Sequence, residues 1–196
     1  VTCTPSATGL RTAFIRIVNT DCDEDFYNFR VNATGFTAEN ALNFDGTNDY
    51  VSFAMPNNTS GDFSIDFWMK TTQTGNGTPG TSPWYEGNGI FDASVPGLNS
   101  DFGISLVGSK LAFGVGNPDV TLYSTSNVNT GNWVHVAVTR SQNFSGPLKL
   151  YINGVLEDQD ICDTNFLLAS TTVYLGANFP TGRYFNGRLD EVRYWT

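Results

Sequence analysis

Hard oxygen donors gather in one short turn of this chain. Asp45-Gly46-Thr47-Asn48-Asp49 sets three Asp or Asn side chains around a glycine, and calcium takes about six to eight oxygens from carboxylates, amides and main-chain carbonyls. The same residues also serve as ordinary turn formers that accept backbone N–H groups. A second acidic run, Asp21-Cys22-Asp23-Glu24-Asp25, has the charge for a cation but not the EF-hand spacing, so it reads as a solvated hairpin tip.

Sugar binding asks for an exposed aromatic plane with amides and carboxylates beside it for the hydroxyls. Trp84 and Tyr85, flanked by Glu86 and Asn88, supply that combination. Tyr123, Phe179, Tyr184 and Phe185 form a second set, with Tyr184 the member placed in the candidate site. The competing reading is that these rings cover loop bases and fill core edges. Trp68, Trp133 and Trp195 are each embedded in an alternating strand and read as structural. The one histidine, His135, falls inside such a strand with no Gly-x-Ser-x-Gly elbow elsewhere, which argues against a histidine-based triad.

The elements that must position these residues are strands. Leu42 and Phe44 alternate with Asn43, the acidic turn follows, and Tyr50 to Phe53 resume the period of two. Further strands are expected at 63–70, 89–93, 101–106, 110–115, 121–124, 133–140, 148–152, 173–176 and 188–194. Asn153-Gly154 is a strong signal for a two-residue hairpin turn. Residues 71–89, rich in Gly and Pro, are the longest loop candidate, and loops of that length are commonly functional or mobile. Thr12 to Val18 and Phe26 to Val31 read as a separate hairpin, which is marginal alone and needs something to pack on.

Composition narrows the function. The chain has 196 residues, 40% apolar and 14% aromatic, with 20 glycines and only 15% charged residues, a mixture that suits many short strands joined by turns. A net charge of −9 with ten Lys and Arg does not suit a nucleic-acid surface. No apolar run is long enough to span a membrane, and no charged segment followed by an apolar stretch opens the chain. Cys3, Cys22 and Cys162 lack zinc spacing. In an oxidising compartment Cys3 and Cys22 would close a loop worth about 3 kcal/mol; otherwise all three are buried thiols. Asn-x-Ser/Thr sequons at Asn32, Asn57, Asn58, Asn76 and Asn143 are frequent by chance in so Asn- and Thr-rich a chain.

The motifs Ala41 to Phe53, Phe63 to Lys70, Asn132 to Arg140, Leu148 to Gly154 and Gly187 to Trp195, in that order, resemble the laminin-G-like jelly roll, the concanavalin A-like lectin fold also found in pentraxins. The resemblance covers about residues 38–196 and implies an all-β, two-sheet antiparallel sandwich whose last strand lies beside its first. It also implies a structural calcium shared between the opening turn and the last strand, carried here onto Asp45, Asn48, Asp49 and Asp190. Laminarinase-like hydrolases of the same fold carry a Glu-x-Asp-x-Glu or Glu-x-Asp-x-x-Glu strand to pair an acid with a nucleophile. Glu157-Asp158-Gln159-Asp160 departs from that pattern and reads as a solvated strand end.

Residues 1–35 resemble the closing strands of an Ig-like repeat of the choice-of-anchor D type, so the expected division is 1–35 and 36–196, with both ends cut from a longer protein. The resulting expectation is a non-enzymatic, extracellular glycan-binding or adhesion module of a secreted or cell-surface, bacterial protein. Its partners would be a glycan or a cell-surface protein, together with neighbouring domains, and not nucleic acid or a membrane interior. The alternatives are a structural or protein-binding spacer of an adhesin, or an accessory domain of a polysaccharide-degrading enzyme.

Overall fold

In the computed structural model the described residues are 9–18, 26–35, 41–54, 61–94, 101–116, 119–141, 146–162, 172–178 and 181–196. The chain divides into two compact units, 1–40 and 41–196. In the first, β1 (Gly9–Val18) and β2 (Phe26–Gly35) pair antiparallel from Val18 opposite Phe26 to Gly9 opposite Gly35. This is the expected hairpin with longer strands, and the Ig-like repeat inferred from it is not shown. Cys3, Cys22 and the acidic run 21–25 lie outside the described residues.

The second unit is built from β3 (Leu42–Asp45), β4 (Val51–Ala54), β5 (Phe63–Lys70), β6 (Asn88–Asp92), β7 (Phe102–Val107), β8 (Lys110–Val115), β9 (Val120–Tyr123), β10 (Val134–Arg140), β11 (Gly146–Ile152), β12 (Val155–Cys162), β13 (Thr172–Leu175), β14 (Ala177–Asn178), β15 (Arg183–Tyr184) and β16 (Asn186–Trp195). Two six-stranded antiparallel sheets, ordered β12-β11-β10-β5-β16-β3 and β4-β13-β6-β7-β8-β9, make the jelly-roll sandwich. The last strand lies beside the first as expected, with Phe44 opposite Gly187. β3 and β4 belong to different sheets, so the acidic turn carries the chain from one layer to the other.

Period-two alternation decides what goes inside. Phe63, Ile65, Phe67 and Met69 on β5, with Val134, Val136 and Val138 on β10, are buried and meet Phe102, Ile104, Leu106 and Phe113 from the facing sheet. Asn153 and Gly154, at φ 51° and 79°, make the predicted tight turn between β11 and β12. Edge strand β12 is tied across the sandwich to edge strand β9: the Tyr123 N–H donates to Asp158 Oδ2 at 2.9 Å, and the Ser126 N–H to Glu157 Oε2 at 3.0 Å. The 157–160 acids are therefore not merely solvated, since two of them satisfy backbone donors that an open edge would leave exposed.

The loop over residues 71–87 is anchored along its length. Gly75 and Gly108 exchange backbone bonds of 2.8 and 3.2 Å, and the Asn76 N–H donates to Asn88 Oδ1 at 2.8 Å. Its tip folds back so that Trp84, only 1% exposed, lies on the outer face of the second sheet. Gly103 and Gly114, direct partners on β7 and β8, leave the slot for that indole. A Cβ on Gly103 would stand 2.4 Å from the Trp84 ring and one on Gly114 2.0 Å from it. Around β7 and β8 the second sheet is thus covered on both faces, while β5 of the first sheet keeps exposed and half-buried side chains on its outer face.

Candidate functional site

That open face carries the exposed aromatic residues. On β5 the residues between the buried ones are Ser64, Asp66, Trp68 and Lys70, and Trp68 is 37% exposed. The strand register sets three rows across it. His135, Trp68 and Asp190 form one; Tyr151, Ala137, Asp66 and Arg193 the next; Lys149, Thr139, Ser64 and Trp195 the third. In the third row small residues lie in the middle and large ones at the sides, whereas His135 and Trp68 fill the middle of the first. The result is an open groove of about 370 Å³ over Ser64 and Thr139, walled by Lys149 and Tyr151 on one side and Trp195 on the other.

A bulge in β16 puts two of these residues in place. Leu189 faces the core, and unbroken alternation would send Glu191, Arg193 and Trp195 inward with it. The β5–β16 register shifts between Asp190 and Arg193, where Glu191 takes φ 49°. One extra residue exchanges the two faces of a strand. Val192 and Tyr194 consequently pack on the core, and Arg193 and Trp195 stand on the groove side.

Asp66 organises the face. Its Oδ1 accepts from Arg193 Nε at 2.9 Å and its Oδ2 from Trp195 Nε1 at 2.7 Å. His135 Nε2 lies 3.6 Å from Oδ1, and the His135 ring meets Trp68 edge to face at 5.1 Å. Arg193 also bonds Glu191 Oε2 at 3.1 Å. Trp195, 56% exposed, is thereby held by its nitrogen while its ring remains open to solvent. An indole fixed in this way offers a flat apolar surface at little ordering cost, which is what a sugar ring stacks on.

The residues selected from sequence are placed otherwise. Trp84 is a correction: the expected solvent-facing platform is buried against two glycines, and its ring packs with Tyr123, Val107 and Ala112. Tyr85 is 39% exposed and meets Trp84 edge to face at 5.6 Å. Its carbonyl accepts from Arg183 Nη1 and Asn178 Nδ2. Burial, with Asp119, Glu86 and Asp101 nearby, raises the Tyr85 phenol above its ordinary pKa. Glu86 is half-buried. Asn88 is buried and spends its amide on Asn76 and on the Tyr184 carbonyl at 2.6 Å, so it braces the loop. Phe185 is fully buried, and Phe179 lies outside the described residues.

The four expected calcium ligands do not converge. Asp45 and Asp49 share the opening turn, where Asp49 Oδ2 accepts the Asp45 N–H at 3.0 Å and Asp45 Oδ1 the Thr47 N–H at 2.7 Å. Asn48 is exposed in the same turn. Asp45 lies opposite Asn186, which puts Asp190 four residues farther along β16, about 13 Å away at the usual strand rise. No group of three or more His, Cys, Asp or Glu poised for a metal occurs among the described residues.

These layers define an all-β, two-sheet antiparallel jelly-roll sandwich. Residues 45–196 match the family model of the concanavalin A-like lectin/glucanases superfamily, and the chain belongs to that family. No curated protein is similar enough in sequence to count as a relative. Among solved structures, the chain is similar to mouse laminin α1 domains LG4-5 (17% identity, TM-score 0.57, covering 85% of this chain and 43% of that one). It is also similar to a botulinum neurotoxin type C structure, a toxin whose cell entry depends on interaction with two ganglioside molecules (16%, 0.60, 95% and 43%). A third is the heptameric SAP-like pentraxin of Limulus polyphemus (16%, 0.56, 78% and 74%). At such identities the likeness shows the fold alone. The chain spans 43% of the laminin and neurotoxin chains it matches.

Proposed function

We propose that residues 41–196 form a non-catalytic, extracellular glycan-binding or adhesion module that holds its ligand on the outer face of the β5-containing sheet. One observation carries the reading: Trp68 and Trp195, 37% and 56% exposed, stand on that face to either side of Asp66, which fixes the second indole. The family supports it, as does the neurotoxin type C dependence on gangliosides. Calcium is kept as a separate proposal, restricted to the turn at Asp45, Asn48 and Asp49.

The face supplies binding groups more readily than an acid and a nucleophile. Asp66 is engaged by Arg193 and Trp195, Glu191 by Arg193, and Asp190 Oδ1 by the Glu191 N–H at 2.8 Å. A glycosidase must leave two carboxyl groups free to flank one bond. A glycan array probed with the purified chain and with Trp195→Ala tests the reading. Binding that the substitution removes supports it; an array on which nothing binds, or release of reducing ends from a bound glycan, sinks it. A protein partner is the second reading, favoured by Val155, Leu156 and Ile161, which are 62%, 43% and 56% exposed along edge strand β12.

A further inference from the structure

The sequence holds four Asn-Gly pairs, at 76–77, 88–89, 153–154 and 186–187. Such a pair can modify itself. The glycine backbone nitrogen, its proton lost to base, attacks the asparagine Cγ; a C–N bond closes a succinimide ring and the side-chain nitrogen leaves as ammonia. Water then opens the ring at either carbonyl, giving aspartate or isoaspartate. The reaction needs a carboxamide free to turn, a glycine nitrogen that is not already donating, and no Cβ in the way of the attack. We infer that Asn76-Gly77 is the site of this deamidation in the folded protein, and that the isoaspartate it forms loosens the loop that carries Trp84.

Contacts withhold the other three pairs. Asn88 is buried, with Oδ1 accepting the Asn76 N–H at 2.8 Å and Nδ2 donating to the Tyr184 carbonyl at 2.6 Å. Its Gly89 sits hard against the Ala177 and Asn178 backbone. Asn153 accepts the His135 N–H on Oδ1 at 3.0 Å and donates its own N–H to the His135 carbonyl at 2.8 Å. Asn186 donates from Nδ2 to the Asp45 carbonyl at 2.8 Å and from its N–H to Gln73 Oε1 at 2.9 Å. Asn76 differs. Both it and Gly77 are exposed, and among the described residues neither the Asn76 carboxamide nor the Gly77 N–H has a hydrogen-bond partner.

The backbone is anchored on both sides of this pair. Gly75 exchanges bonds with Gly108, and the Thr78 carbonyl accepts the Ser82 N–H at 2.9 Å. Isoaspartate routes the chain through the former side-chain carbon, which adds a methylene between those anchors and leaves a carboxylate beside them. The Asn76 N–H bond to Asn88 lies next to the insertion. Strain there passes along the loop toward Trp84, whose place against Gly103 and Gly114 depends on the loop's path.

The test incubates the purified chain at mildly alkaline pH, folded and in urea, and follows each Asn-Gly pair by peptide mass spectrometry after acidic proteolysis. The ratio of folded to unfolded rate should be close to unity at Asn76 and severalfold lower at Asn88, Asn153 and Asn186. Asn76→Gln should remove the fast conversion, because the longer side chain closes a ring far less readily. The isoaspartyl form, identified by isoaspartyl methyltransferase labelling, should unfold at lower urea than Asn76→Asp, which carries the charge without the methylene. A rate at Asn76 slowed by folding as much as at the other three overturns the inference. An isoaspartyl form with the urea midpoint of Asn76→Asp overturns its effect on the loop.

Discussion

The Trp195 indole nitrogen donates to Asp66 Oδ2 at 2.7 Å, joining residues 129 apart in sequence. The same carboxylate accepts from Arg193, so one side chain sets the posture of two groove residues.

Asp66→Ala should therefore weaken glycan binding about as much as loss of one stacking ring, near tenfold. Its cost in stability should be small, about 1 kcal/mol or less, because ion pairs near solvent contribute little. Asp66→Asn keeps an acceptor for the indole and should recover part of the binding. Calorimetry against the glycan found by array, together with a denaturation midpoint, reads both quantities. Full affinity in Asp66→Ala would detach Trp195 posture from recognition.

Trp84 behaves as core despite its place in a loop. Trp84→Ala should cost about 3–5 kcal/mol in urea denaturation, the range for buried aromatic truncations, and leave glycan binding unchanged at temperatures where the variant is folded. Gly114→Ala should also destabilise, since its Cβ would lie 2.0 Å from the Trp84 ring and 2.5 Å from the Val120 carbonyl. A Trp84→Ala protein as stable as the parent would contradict the packing.

How far these outcomes could be read from the sequence differs from residue to residue. The strands were legible because alternation is a local signal, and the β11–β12 turn because Asn153-Gly154 fits positive φ at both positions. Trp68 was legible in principle: it shares the phase of Ser64, Asp66 and Lys70, the polar side of β5. Trp195 was not, because only the bulge at Glu191 turns it outward, and an inserted residue leaves no mark in a hydrophobic pattern. Trp84 left a weak trace in the glycines at 103 and 114, since glycine inside a strand marks close approach of another group. Which group approaches depends on a loop contact far along the chain. The convergence of Asp190 with the opening turn came from resemblance, and register alone decides it.

With Asp190 about 13 Å from Asp45 along β16, the two cannot chelate one ion. Asp190→Asn should leave the melting midpoint, in calcium and in chelator, equal to that of the parent under the same conditions. Any calcium-dependent rise, which mass action on the folded state would produce, should disappear in Asp49→Asn. A calcium response lost in Asp190→Asn and retained in Asp49→Asn would place the ion on the last strand and refute the turn assignment.

Tyr194 gives the fold an alkaline limit. Its hydroxyl is buried with no hydrogen-bond partner among the described residues, and its ring stacks on Phe63 at 5.7 Å. Burial raises its pKa above the ordinary 10.0, partly opposed by Arg140. The folded state therefore favours the neutral phenol. Below about pH 10 the phenol is neutral in folded and unfolded chains alike, and the preference contributes its full stability. As pH rises past that point the unfolded chain ionises first, and stability is lost until the folded pKa is passed. Tyr194→Phe keeps the stacked ring and removes the titrating group. Its urea midpoint should lie near the parent value at pH 7 and move progressively above it as pH rises past about 10. Tyr85 and Tyr123 have raised pKa values as well and remain in the variant, so some alkaline loss should persist. A parent-to-variant difference that stays constant from pH 7 to about pH 11 would show that Tyr194 ionises as easily in the folded protein as in the unfolded chain.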